Sequence, residues 1–272
     1  MRKAGLLQEG IGARGNVAAQ LRQNLGSLSL GAVTGAWGHF MRCVWLAASL
    51  AAMMGPAAAL GGEIEFSGAL GYNWSPHSIA TLTNSTTLES QTNTLSWEGA
   101  SFDPAPYYTV RLTYWSDSLA DWGFGVDYTH AKSVAKRAES GVEDTYSWLE
   151  FTDGLNLITA NVFHKWDWDA ARVYVGGGAG IAVPHVEIDT TADSILGETS
   201  TREAQIAGPA IQLVAGASYE VFPGVRAFGE YKVAYSVNDT VLAGGVGTFS
   251  TNLVNHQIVG GITFAINDGS GL

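Results

Sequence analysis

The chain has 272 residues, of which 46% are hydrophobic and only 14% charged, where about 25% charged is usual for a soluble protein. No run of ~20 apolar residues follows residue 60, which excludes a helix spanning a bilayer in the mature chain. The single cysteine, Cys43, falls near the start, so the rest of the chain has no disulfide, cysteine zinc site or thiol nucleophile.

The long apolar run from Val44 to Leu60 follows Met41 and Arg42 and ends in Ala57-Ala58-Ala59. A basic start, an apolar middle and a small-residue cleavage site describe a secretory signal peptide. We therefore expect residues 1–40 to be an upstream extension, 41–59 a signal peptide starting at Met41, and 60–272 the mature fold. Cys43 lies too early in the signal to be a lipidation site. Of the 14 basic and 25 acidic residues, five and one fall before residue 60, leaving a net charge of −15. Such a surface will not hold nucleic acid through its phosphates; it could bind divalent cations.

The mature region opens on Glu63–Trp74, where Ile64, Phe66, Leu70, Tyr72 and Trp74 alternate with Glu63, Glu65, Ser67 and Asn73. Successive strand side chains point to opposite faces. An apolar face ending in aromatics, backed by carboxylates, fits a strand with lipid outside and a wet lumen inside. Lipid leaves no room for an open edge, so the following strands must close a ring.

A polar stretch, 75–106, leads to a second strand at 107–115, with Tyr108, Val110, Leu112 and Tyr114 opposing Thr109, Arg111 and Thr113. After a short turn, Trp122, Phe124, Val126 and Tyr128 alternate with Gly123, Gly125, Asp127 and Thr129. A second polar loop, 133–154, precedes the fourth strand, 155–166, whose Ile158, Ala160 and Val162 face lipid. The fifth strand, 172–188, passes through Gly176-Gly177-Gly178, small residues that make room for bulky lumen neighbours. A third loop spans 189–203. The sixth strand, 210–221, puts Ile211, Leu213 and Tyr219 outward. Phe222-Pro223-Gly224 uses favoured turn residues, and the seventh strand, 225–236, sets Arg226, Phe228, Glu230 and Lys232 against Tyr231, Val233 and Tyr235. The eighth, 252–266, has Ile258, Ile262 and Phe264 in one register and ends in a short tail rather than on an aromatic.

The pattern predicts an all-β fold: an eight-stranded antiparallel up-and-down transmembrane β-barrel, monomeric, in the outer membrane of a Gram-negative bacterium. Connections alternate long and short, which puts the long loops outside and the short turns in the periplasm. Eight strands enclose a lumen that side chains fill, so Arg111, Asp127, Arg226, Glu230 and Lys232 read as a paired polar plug. Of the mature histidines, His164 and His256 read as interfacial.

At the outer rim, His185 and Glu187 share a strand face, His130 and Lys132 do the same, and Glu150, Asp153 and Asn156 start the fourth strand. These residues could simply solvate the rim and bind cations. They could also converge inward from the tops of consecutive strands as a site of His130, Glu150, Asp153, His185 and Glu187. A divalent metal ion held by His130, His185 and Glu187 would then leave positions open for substrate. That arrangement needs a bulge at Pro184, because His185 and Glu187 otherwise share the lipid-directed face of Val175 and Ile181.

Several segments resemble the lipid A oxidase family of outer-membrane barrels: Trp97-Glu-Gly with Ser101-Phe102, Pro106-Tyr-Tyr, Gly123-Phe-Gly with His130-Ala-Lys132, Leu149-Glu-Phe-Thr-Asp-Gly-Leu-Asn156, Tyr174-Val-Gly-Gly-Gly with Pro184-His-Val-Glu187, and Gly229-Glu-Tyr-Lys232. The resemblance covers most of the mature chain and none of residues 1–59. It implies oxygen-dependent oxidation of the proximal glucosamine of lipid A to 2-aminogluconate, with lipopolysaccharide of the outer leaflet and membrane lipid as partners. The competing readings are a non-enzymatic OmpA-like anchor or adhesin, and a lipid A deacylase, for which His77-Ser78 is the one adjacent His-Ser pair.

Overall fold

The computed structural model describes residues 62–267; the upstream extension, the signal peptide and the tail beyond Asn267 lie outside the described residues. Within them the chain forms β1 (Gly62–Trp74), β2 (Ser78–Asn84), β3 (Ser90–Leu95), β4 (Trp97–Glu98), β5 (Tyr108–Ser116), β6 (Trp122–Ala135), a one-turn helix α1 (Arg137–Ser140), β7 (Tyr146–Trp168), β8 (Ala171–Thr190), β9 (Ser200–Ala204), β10 (Gly208–Phe222), β11 (Val225–Val241) and β12 (Gly247–Asn267). Eight of these strands run β1-β5-β6-β7-β8-β10-β11-β12, each antiparallel to the next, and β1 pairs with β12 to close the ring. This is the expected eight-stranded outer-membrane β-barrel.

Strand alternation sets the wall. Phe66, Leu70, Trp122, Phe124, Ile158, Val162, Ile211, Leu213, Ile258 and Ile262 all point outward and are exposed. Along β6 the outward run Trp122, Phe124, Val126, Tyr128 covers ~20 Å at ~3.4 Å per residue, close to the ~25 Å apolar band of such barrels. Three tight connections, ending at Trp122, Ala171 and Val225, close one end.

The inward face has two layers of paired charge. In the upper layer Arg111 reaches Asp127 at 2.7 Å and Glu230 at 2.5 Å, and Lys232 donates to both Asp127 oxygens at 3.1 Å and to Thr129 Oγ1 at 2.8 Å. Tyr174 donates to Glu230 Oε1 at 2.7 Å, and the Arg111 guanidinium lies 4.8 Å from the Phe163 ring. Nearer the short turns, Arg172 pairs with Glu65 at 2.7 Å and Asp167 at 2.6 Å, and Trp115 Nε1 donates to Glu65. Arg226 faces the lumen as expected but bonds Ser218, Glu220 and the Ala170 carbonyl instead of joining the upper layer. Between the layers lies a cavity of about 20 Å³, lined in part by Glu65, Arg111, Phe163 and Arg172, room for a single water. Gly176 leaves space there: a Cβ on it would sit 2.2 Å from the Phe163 ring.

Above the upper layer the lumen turns apolar, and here the structure departs from the expected long loops. β7 begins nine residues before the expected strand, β11 runs on to Val241, and β12 starts at Gly247. The stretch read as a polar loop at 75–106 contains the β2–β3 hairpin, which pairs with the start of β12, and β4, which pairs with the end of β6. β9 adds to β8. Their outward positions are rich in Thr and Ser, with Ile79, Trp148 and Val241 also exposed, while Leu82, Leu95, Trp97, Leu149, Phe151, Leu155, Ile188 and Phe249 turn inward and are buried. Trp97 stacks on Phe151 at 6.0 Å, and Tyr146 meets Phe249 edge-on at 6.1 Å. Each such side chain contributes about 1.5–3 kcal/mol on burial. The apolar plug seals the barrel.

Two substitutions test this wall. Leu213→Arg puts a charge on the lipid side and should cost about 2–4 kcal/mol near the midplane. Asp127→Ala strips Lys232 of its carboxylate and should cost about 3–5 kcal/mol. Urea titrations of folding into lipid vesicles measure both, and a neutral Leu213→Arg would mean that β10 faces the other way.

Candidate functional site

The same alternation puts His130 outward on β6, two residues above Tyr128, where the apolar band gives way to polar positions. In register across the wall stand Tyr108 on β5, His130 on β6, Asn156 on β7 and Val183 on β8. The His130 imidazole stacks on Tyr108 with ring centroids 4.9 Å apart and 20° between planes, and Tyr108 lies 5.8 Å from Tyr128. This cluster joins two phenols, an imidazole and an amide on the outward side of the wall. Tyr108, Tyr128 and Asn156 are part-exposed, while His130 is only 4% exposed and its Nε2 is buried.

Asn156 organises it. Its Nδ2 donates to the Val183 carbonyl at 3.1 Å and the Gly154 carbonyl at 3.3 Å, which leaves Oδ1 as the acceptor end. Tyr128 OH donates to that oxygen at 2.7 Å, and His130 Nδ1 lies 3.0 Å from it. Since Oδ1 can only accept, Nδ1 carries the proton, and in the neutral ring Nε2 carries the lone pair. The amide thus fixes a tautomer suited to a base.

A bulge makes the space. Between Glu150 and Leu155, β7 spends two residues more than β8 does between Glu187 and Pro184, and β6 skips from Ala131 to Ser133 across it. Gly154 there has φ 106°, and a Cβ on it would fall 2.3 Å from His130 Nδ1 and 2.4 Å from Asn156 Oδ1. Only glycine combines that φ with that approach. The distortion was expected at Pro184 on β8; it lies on β7, and Pro184 pairs regularly with Leu155.

The inward convergence of His130, Glu150, His185 and Glu187 is therefore corrected. β8 keeps its alternation to the end, so Val186 and Ile188 point in and are fully buried, while His185 and Glu187 stay on the outward face with Val175 and Ile181. Glu150 sits opposite Glu187 on that same face, and Asp153 belongs to the β7 bulge. Glu187 meets Arg202 of β9 at 3.1 Å and His185 at 3.9 Å, and Arg202 also holds Asp189 at 2.6 Å. Among the described residues no three His, Cys, Asp or Glu side chains gather as metal ligands.

Two of the other histidines, His164 and His256, serve the aromatic girdles. His164 lies between Trp122 at 4.8 Å and Trp166 at 4.6 Å. His256 stacks on Trp74 at 5.2 Å and pairs with Tyr231 OH at 2.6 Å. Ser78, beside His77, spends its hydroxyl on Thr251 and on Trp97 Nε1. The partner that spacing alone missed, Tyr108, looked like an ordinary belt residue; only the register puts it against His130.

No protein-family model matches the chain, and no curated protein matches it. Solved structures similar to it include Neisserial surface protein A, at 16% identity and TM-score 0.38 over 75% of this chain and 96% of that one. Another is Ail, the attachment invasion locus protein of Yersinia pestis, at 11% identity and TM-score 0.36 over 75% and 99%. A third is the outer membrane protein AlkL, at 13% identity and TM-score 0.44 over 78% and 93%. With its closed ring and girdled apolar band, the chain has the fold of a small transmembrane β-barrel.

Proposed function

We propose that this barrel is a lipid A oxidase working on its outer wall, with His130 as base and Asn156 as its positioning residue. The observation that carries the reading is the imidazole on the outward side of β6, 4% exposed and held at Nδ1 by Asn156 Oδ1 at 3.0 Å. A sugar anchored in the leaflet by acyl chains reaches the wall there without entering the barrel. The segments that resemble the lipid A oxidases include both members, His130-Ala-Lys132 and Leu149 to Asn156.

In the reaction the anomeric carbon of the proximal glucosamine gives up its C–H hydrogen and its hydroxyl proton. Two electrons and two protons pass to dioxygen, which becomes hydrogen peroxide, and the hemiacetal becomes a lactone. Water opens the lactone to 2-aminogluconate. His130 Nε2, which is buried here, would take the hydroxyl proton once the groups that cover it move aside, a general-base step worth typically 10²–10⁴-fold. His185 and Glu187, partly exposed on the outward face farther from the bilayer, would meet the core saccharide, with the buried Glu150 beside them.

The test is mass spectrometry of lipid A from cells carrying the protein or its variants. Wild type should add one oxygen to the proximal sugar, and His130→Ala should lower the yield by about 10²-fold or more with the barrel still folded and inserted. Asn156→Leu, which leaves the ring unoriented, should fall between them. Lipid A short of an acyl chain would identify a deacylase instead. An unchanged mass would leave the anchor or adhesin reading, which draws support from the sealed lumen and the raised sheet of β2, β3, β11 and β12.

A further inference from the structure

The segment between β4 and β5, residues 99–107, is fastened to the wall by three buried polar side chains. Ser101 accepts the Asn73 backbone N–H at 2.8 Å and donates to Asn73 Oδ1 at 2.9 Å. Asn73 donates from Nδ2 to the Lys132 carbonyl at 2.8 Å, and Lys132 donates from Nζ to the Pro104 carbonyl at 2.9 Å. These three residues are 3%, 0% and 3% exposed. Burying an ammonium to hold one carbonyl is costly, so the place of this loop matters to the protein. Gly99 permits the contact, since a Cβ on it would lie 1.8 Å from the Asn73 carbonyl oxygen.

What the braced loop presents is Phe102, 77% exposed. Its ring lies 6.3 Å from Tyr72 at 31°, and Tyr72 lies 6.0 Å from Trp74 at 28°. The three rings form a shelf on the outward side of β1 where the apolar band ends. The next strand, β5, carries Tyr108, paired in register with Leu70 just below Tyr72. Girdle aromatics of barrels stand on the strands and need no fastening. Phe102 stands on a loop tied down beneath it.

We propose that Tyr72, Trp74 and Phe102 are a stacking seat for the pyranose rings of the glucosamine disaccharide of an outer-leaflet lipopolysaccharide. The sugar identity rests on the function proposed above. Sugar C–H bonds, polarised by the ring oxygens, meet the negative faces of the aromatics, and the Tyr72 hydroxyl can bond the sugar hydroxyls. The shelf would hold one end of the headgroup while the proximal ring reaches the neighbouring His130 cluster.

The experiment measures binding without turnover: full-length protein in detergent, titrated with fluorescently labelled lipid A and, separately, with labelled phosphatidylglycerol. Phe102→Ala should weaken lipid A binding roughly three- to tenfold, the scale of one aromatic contact, leave phosphatidylglycerol unchanged, and be rescued by Phe102→Trp. Ser101→Ala, which loosens the loop, should reproduce the loss; heat-modifiability on gels verifies folding of each variant. No loss, or an equal loss for both lipids, overturns the seat and leaves Phe102 as a plain membrane anchor. Wild type that binds lipid A through Phe102 yet never oxidises it would remove the enzymatic reading and keep the seat. Oxidation with unchanged KM in Phe102→Ala would do the reverse.

Discussion

The pairing of β1 with β12, in unbroken register from Glu63↔Asn267 to Trp74↔His256, is the constraint on which the other features depend. In hydrocarbon every backbone N–H and C=O must find a partner in the protein, so an open sheet edge is not an available state. Closure also fixes parity. Once β1 is locked between β5 and β12, each side chain of each strand is committed to lumen or lipid, and a slip of one residue would exchange the two sets throughout. Arg111, Asp127, Glu230 and Lys232 can be buried together because that parity delivers them to one side at compatible heights. Their mutual bonds make a charged interior tolerable in a barrel too narrow for bulk water.

The two-part lumen has a functional consequence. The half nearer the short turns is filled by ion pairs with room for about one water, and the other half by Leu, Phe, Trp and Ile from strands that rise above the bilayer. Neither part offers a path for solute, and neither offers a cleft to a lipid headgroup. Any chemistry on an outer-leaflet molecule must therefore happen on the wall or on the raised outer sheet. The outward cluster of Tyr108, Tyr128, His130 and Asn156 is the place where polar, titratable groups meet the upper edge of the band.

The period-two pattern made the barrel legible, and the in–out assignment read from it for the strands holds, including the weakly alternating β7, where Thr159 and Asn161 face in and Ile158 and Val162 face out. The raised sheet escaped notice because Thr, Ser and Asn on its outer face hid the alternate Leu82, Leu95, Phe151 and Phe249; hydroxyl-rich strands in water look like loops. His185 and Glu187 were named as neighbours correctly but aimed inward wrongly, since a proline suggested a bulge that a glycine one strand away supplies. His130 and Asn156 are both legible as rim candidates, but their pairing with each other and with Tyr108 is not. Asn156 comes from β7 and Tyr108 from β5, and only the register of three strands brings them to His130.

The choice of Asn156 rather than a carboxylate follows from where the cluster sits. An acid would orient the His130 imidazole and strengthen it as a base, as in catalytic triads. At the edge of the hydrocarbon, however, an ionised side chain carries a cost in kcal/mol that neutral groups avoid. The amide holds the ring from a single oxygen, accepts the Tyr128 phenol at the same atom, and spends its two N–H bonds on backbone carbonyls of β7 and β8. No charge is introduced, and every polar atom of the side chain has a partner. The ring is held at Nδ1 by a neutral partner, which adds no charge at that edge.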